Sequence, residues 1–194
     1  MKKKTIKKAL AAVIAISGSC AAVIFGAGCL SKIAEYEENA DAYRKIEEIA
    51  VTEKYEGSEA DVPVLIDWEN LKNINPDICG WIFIPCIEVS YPVLYSCDNS
   101  NYLRISAEGK KIKAGSIFMD MRNSVDFTDP NTVIYGHNMA AGSMFGRLWH
   151  ITYLNNAAAE TYIWLITPEK ANQHMIFSSF EGDGEELVSD YFKD

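Results

Sequence analysis

Hydrophobic positions fall into one long run and then a series of short periodic stretches. Ala9 to Leu30 are 22 consecutive positions without a charge. As one helix they would span about 33 Å, against a bilayer hydrocarbon core of about 30 Å. From Ser31 to about Glu56, Tyr36, Ala40, Tyr43 and Ala50 recur at helical spacing with Glu and Lys between them, which predicts a helix, either a stalk or one packed on a domain. Glu56-Gly57-Ser58-Glu59 reads as a linker. Asp67 is placed to cap a short helix through Asn73, which Asn75-Pro76 ends.

Beyond that point the period changes to that of strands. Ile78 to Ile84 is rich in β-branched and aromatic residues. Ile87, Val89 and Tyr91 alternate with Glu88 and Ser90, and Pro85 marks the turn between the two runs. Further strands are predicted over Gly115 to Asp120, Thr132 to Tyr135, Tyr162 to Thr167 and His174 to Phe180, the last two joined by residues 168–172. Short helical segments are predicted over Asn99 to Ile105, Met144 to Trp149 and Glu185 to Phe192. Many short strands with few helices and no internal repeat predict a mainly β domain, a small barrel or a sandwich. The organisation is a basic tail over 1–8, an apolar span over 9–30, a helical stalk and linker over 31–60, and a β domain over 61–194.

Charge sharpens this division. Residues 1–30 carry five lysines and no acid; residues 31–194 carry 13 basic and 27 acidic side chains. Lysines on one side of the apolar run and glutamates on the other orient it with the N-terminus in the cytoplasm and the domain outside. A cleaved signal peptide is the alternative, although its apolar region is usually only about 7 to 15 residues long. Lipid attachment at Cys29 is a third reading, without the usual large aliphatic residue three positions earlier. An acidic domain should repel nucleic acid and anionic lipid, so no nucleic-acid partner is expected.

The five cysteines, Cys20, Cys29, Cys79, Cys86 and Cys97, form no C-x-x-C pair and no zinc pattern. Cys79 and Cys86 read as small buried hydrophobes. Of the three histidines, His174 enters a strand from a turn and suits a surface or edge, and His150, in Leu148-Trp149-His150-Ile151, suits partial burial. No two have metal-ligand spacing. His137 follows an apolar strand and Gly136 and precedes a polar loop, a position at the mouth of a cleft that admits an acid–base role without requiring it.

Several ordered motifs carry a family resemblance. Asn131 to Met139, with Gly142-Ser143-Met144-Phe145-Gly146, resembles the histidine motif of class B sortases. Asn75 to Ile82, Tyr91-Pro92-Val93-Leu94 and Ala114 to Asp120 resemble earlier parts of the same barrel, and Tyr162 to Pro168 and Ile176 to Phe180 match later strands more loosely. The similarity covers about residues 64–194. It implies a sortase-like closed β-barrel, incomplete at the C-terminus, with an N-terminal helix and a transmembrane anchor. It implies a cysteine transpeptidase that cleaves the sorting signal of secreted proteins and joins them to a peptidoglycan amine. His137 would be the acid–base residue; Asn99, Leu103 and Tyr135 would border the substrate groove. No cofactor or metal is implied; calcium belongs to a different sortase class, and no EF-hand loop is present.

The resemblance also places a nucleophilic cysteine and an oxyanion-stabilising arginine on strands well after the histidine. No cysteine follows Cys97 and no arginine follows Arg147. Cys86 and Cys97 precede His137 and do not match the nucleophile by order, and Arg147 suits a solvated charge. The chain alone is therefore expected to be inactive. Two other readings stay open: a non-catalytic extracytoplasmic peptide-binding module, and a hydrolase of another kind that uses His137 with a partner not evident in the sequence.

Overall fold

The structure is a computed structural model that describes residues 24–31, 33–34, 37, 40–54, 62–153 and 161–182. The chain divides into two compact units, Met1–Ala40 and Asp41–Asp194. In the first, residues 24–31 are helical, with Ile24, Phe25 and Leu30 exposed. Most of the apolar run from Ala9, and with it the span expected over 9–30, lies outside the described residues. So do the linker at 56–59 and the helix expected over 185–192. Among the described residues no helix is long and apolar enough to cross a membrane.

The second unit opens with helix α1, residues 41–50, which buries Tyr43, Ile46 and Ala50 at helical spacing. The helix expected to run to Glu56 stops here. Residues Val51–Lys54 are strand β1, paired antiparallel with β2, Val64–Ile66. The Ala50 carbonyl accepts the Asp67 amide (2.8 Å), which turns the chain out of the helix, and Val51 and Thr52 are β-branched. Helix α2, Trp68–Ile74, starts where Asp67 accepts the Asn70 amide (3.0 Å) and ends before Pro76, as its sequence predicts.

The main sheet has six strands in the order β6-β5-β4-β3-β7-β8. They are β3 (Ile78–Ile84), β4 (Val89–Tyr95), β5 (Ile117–Met119), β6 (Ile134–Tyr135), β7 (Tyr162–Ile166) and β8 (Ala171–Met175). β3 lies centrally, with Trp81 fully buried among Ile78, Ile82, Ile84, Val93 and Leu94. The β4–β5 pair is parallel, with Val93 opposite Ile117 and Tyr95 opposite Met119; all other pairs are antiparallel. A parallel pair needs a crossover, and residues 96–116 supply it.

The sheet curls without closing. Ile82 and Ile84 of β3, Ile163 of β7, His174 of β8 and Ile134 of β6 line one cavity of about 520 Å³. Three strands lie between β6 and β7 in the order, so only curvature brings them to the same space. The expected closed barrel is thus corrected to an open, half-barrel sheet whose edges, among the described residues, are β6 and β8. The last strand is also displaced from its expected place at His174 to Phe180. Thr167 accepts the amides of Glu169 and Lys170 and donates its own amide to the Lys170 carbonyl (2.8 Å), a tight turn that starts β8 at Ala171.

Candidate active site

His137 stands two residues beyond β6. Its main chain is set by the returning loop: the Phe145 amide donates to the His137 carbonyl (3.0 Å), and Asn138 bridges Met144. Gly136 keeps this stretch close to β5, since a Cβ there would collide with the Ile117 and Phe145 side chains. The imidazole is half-buried, and its Nε2 lies 2.8 Å from the main-chain carbonyl oxygen of Leu103.

Leu103 closes the 3-10 turn Asn101–Leu103, carried on the crossover between β4 and β5. Local chemistry builds that turn. Asp98 accepts the amides of Ser100 (2.5 Å) and Asn101 (2.9 Å). The buried Tyr102 hydroxyl donates to Asp77 (2.5 Å), and Asn75 donates to the Ala107 carbonyl (3.0 Å). Asn75-Pro76-Asp77, which ends α2, thus also anchors the crossover. The Leu103 side chain is 40% exposed.

Asn99 and Tyr135 meet at a residue that sequence reasoning missed. The Asp120 carboxylate, at the end of β5, is fully buried. Its Oδ2 accepts from the Tyr135 hydroxyl (2.6 Å), Asn99 Nδ2 (2.9 Å) and Arg122 Nη2 (2.8 Å); its Oδ1 accepts from Arg122 Nε (2.9 Å) and the Arg122 amide (2.9 Å). Asn99 Oδ1 in turn accepts the Met121 amide (2.8 Å). The Arg122 hydrogen bonds, despite burial, hold the Asp120 carboxyl well below the usual carboxylate range. Burial, then the bond to Asp120, pushes the Tyr135 hydroxyl up to about 12. Nothing in the spacing of Asp120 announces this, because its partners come from three separate elements.

The four expected site residues therefore fall into two linked pairs: Leu103 with His137, and Asn99 with Tyr135 through Asp120. None of the four lines the 520 Å³ cavity. His174 is exposed on edge strand β8. His150, expected to be partly buried, is exposed beside Trp149, because the 3-10 segment Leu148–Tyr153 lies on the surface. Arg147 pairs with Glu88. Cys79 and Cys86 are half-buried and Cys97 is exposed; burial pushes the Cys79 thiol up to about 12 and the Cys86 thiol up as well. Among the described residues no three His, Cys, Asp or Glu side chains converge as a metal site would require.

Comparison with known proteins bears on this arrangement. No protein-family model matches the chain. It is 49% identical over 79 residues to sortase B of Listeria monocytogenes and 41% identical over 78 residues to sortase B of Staphylococcus aureus. These matches cover 41% and 40% of this chain, and the chain spans about a third, 32%, of the length of each relative. Among solved structures, Clostridium perfringens sortase B is similar with a TM-score of 0.59 at 36% identity, over 63% of this chain and 67% of that one. The chain belongs to the class B sortase family. Sortase B from B. anthracis in complex with AAEK1 is similar with a TM-score of 0.61 at 28% identity, over 80% of this chain and 78% of that one.

Proposed function

We propose that this chain supplies the histidine half of a sortase-type cysteine transpeptidase. In that reaction a thiolate attacks a peptide carbonyl of a sorting signal, an amine leaves, and the acyl-enzyme passes to an amine of the cell wall. His137 protonates the leaving amine and takes a proton from the entering one. An arginine meets the developing oxyanion. The observation that carries the reading is the seat of His137: a half-buried ring at the end of the sheet, held on the Leu103 carbonyl, in a chain of the sortase B family. Asn99, Leu103 and Tyr135 border the peptide, and Asp120 ties two of them together.

The apolar run Ala9 to Leu30, with lysines on one side only, supports a membrane tether with the domain outside the cytoplasm and peptidoglycan as acceptor. A second reading, a peptide-binding module without catalysis of its own, is favoured by the thiols. The Cys79 and Cys86 thiols are pushed up by burial, the opposite of what a nucleophile needs.

Titrating the isotope-labelled full chain with sorting-signal peptides tests both readings. Binding should shift amide and ring resonances of Asn99, Leu103, Tyr135 and His137 and leave His174 unmoved. Shifts confined to residues around the 520 Å³ cavity, or none with any peptide, would refute the groove.

A further inference from the structure

The contact between His137 Nε2 and the Leu103 carbonyl oxygen, at 2.8 Å, fixes more than a position. A carbonyl oxygen offers lone pairs and no proton, so the hydrogen in that contact belongs to Nε2. A neutral imidazole carries one N–H, which leaves Nδ1 with the free lone pair. We propose that the Leu103 carbonyl holds His137 in the Nε2–H tautomer, making Nδ1 the atom through which protons pass, and that Gly115 is the positioning residue that lets the carbonyl reach the ring.

Gly115 has a φ of +56°, and a Cβ there would lie 2.5 Å from both the Leu103 and the Tyr102 carbonyl oxygens. Any side chain would push the turn away from Gly115 and shift the carbonyl that touches His137. The glycine is held from behind. The buried Tyr43 hydroxyl, from α1, donates to the Gly115 carbonyl (2.6 Å), and the Ser116 amide donates to the Tyr102 carbonyl (2.9 Å). A continuous line of contacts thus runs from α1 through Gly115 and Leu103 to the imidazole.

The role of Nδ1 rests on the function proposed above; the tautomer does not. In that reaction the imidazolium gives its Nδ1 proton to the leaving amine and becomes neutral. The neutral ring then takes a proton from the entering amine at the same atom. The other proton stays on Nε2, donated to the Leu103 carbonyl throughout, so no proton is gained or lost over the cycle.

The test is two-bond proton–nitrogen correlation on the full chain with labelled histidines, at a pH where the rings are neutral. His137 is assigned by the signal lost in His137→Gln. His137 should show a single tautomer with an observable, slowly exchanging proton on Nε2, whereas the exposed His150 and His174 should show the mixture of free imidazole. Gly115→Ala should speed exchange of that proton roughly tenfold, the factor for one lost hydrogen bond, and bring in the Nδ1–H form. If Gly115→Ala does not fold, Tyr43→Phe, which removes only the hydroxyl, should speed exchange in the same direction by a smaller factor. A proton found on Nδ1, or the free-imidazole mixture at His137, would overturn the tautomer. Unchanged exchange in a folded variant would overturn the role of Gly115. The expected tautomer, with no resonance of Asn99, Leu103, Tyr135 or His137 shifted by any sorting-signal peptide, would instead defeat the proposed function alone.

Discussion

At the scale of single residues, Asp120 organises the polar side of the site. Its fully buried carboxylate joins Asn99 of the crossover, Tyr135 of β6 and Arg122 of the following turn. Such a group is costly to bury unless every lone pair is used, and here each oxygen accepts at least two bonds. Asp120→Asn keeps the shape and removes the charge, so it should destabilise the fold by about 1 to 3 kcal/mol. The sign of its pH dependence follows from the depressed carboxyl: its folded-state value lies below the ordinary 3.8. The stabilisation is therefore present above about pH 4 and fades as pH falls toward the folded-state value. Chemical denaturation at pH 7 and at pH 3 should show the gap between wild type and Asp120→Asn shrinking at the lower pH. A gap that widens there would contradict the account. His137 could be found by its place after an apolar strand and Gly136, together with the family motif around it. Asp120 could not, because an aspartate after Ile117-Phe118-Met119 reads as a strand end until β6 and the crossover are folded around it.

At the scale of elements, the crossover of residues 96–116 decides where Leu103 and Asn99 stand. It is anchored where the Tyr102 hydroxyl meets Asp77 at 2.5 Å. Tyr102→Phe should lower global stability by about 1 kcal/mol, yet increase hydrogen exchange mainly at Ile112 and Ser116, whose amides bond to Arg104 and Tyr102 carbonyls. Equal acceleration across the central strand β3 would show that the crossover has no stability of its own. The elements legible in the sequence were those with strong local signals: β3 and β4 from their apolar and alternating runs, and α2 from its Asp67 cap. β1 was hidden because Val51 to Lys54 continue an apparently helical segment and gain their strand pairing only from distant Val64 to Ile66. β8 was shifted because Ala171-Asn172-Gln173 has weak strand preference, and the turn at Thr167 alone sets its start.

At the scale of the whole molecule, a curled six-stranded sheet carries the histidine at one edge strand and an apolar cavity on its concave face. The mainly β class was readable from the density of short strands; the degree of closure was not, since it depends on pairing between strands far apart in sequence. The chain belongs to the class B sortase family, and the division of labour proposed here gives it the acid–base histidine and the groove wall. The most direct test is mass spectrometry of acyl adducts after incubation with sorting-signal peptides and an amine acceptor. Three proteins are compared: the 194-residue chain, the same chain extended by a C-terminal segment carrying the cysteine and arginine strands that the family resemblance implies, and the extended chain with His137→Ala. The account predicts no adduct on the short chain, an adduct on the added cysteine and amine-linked product in the extended chain, and loss of product with His137→Ala. Turnover by the short chain that disappears on Cys86→Ala or Cys97→Ala, or full activity of the extended chain without His137, would contradict it.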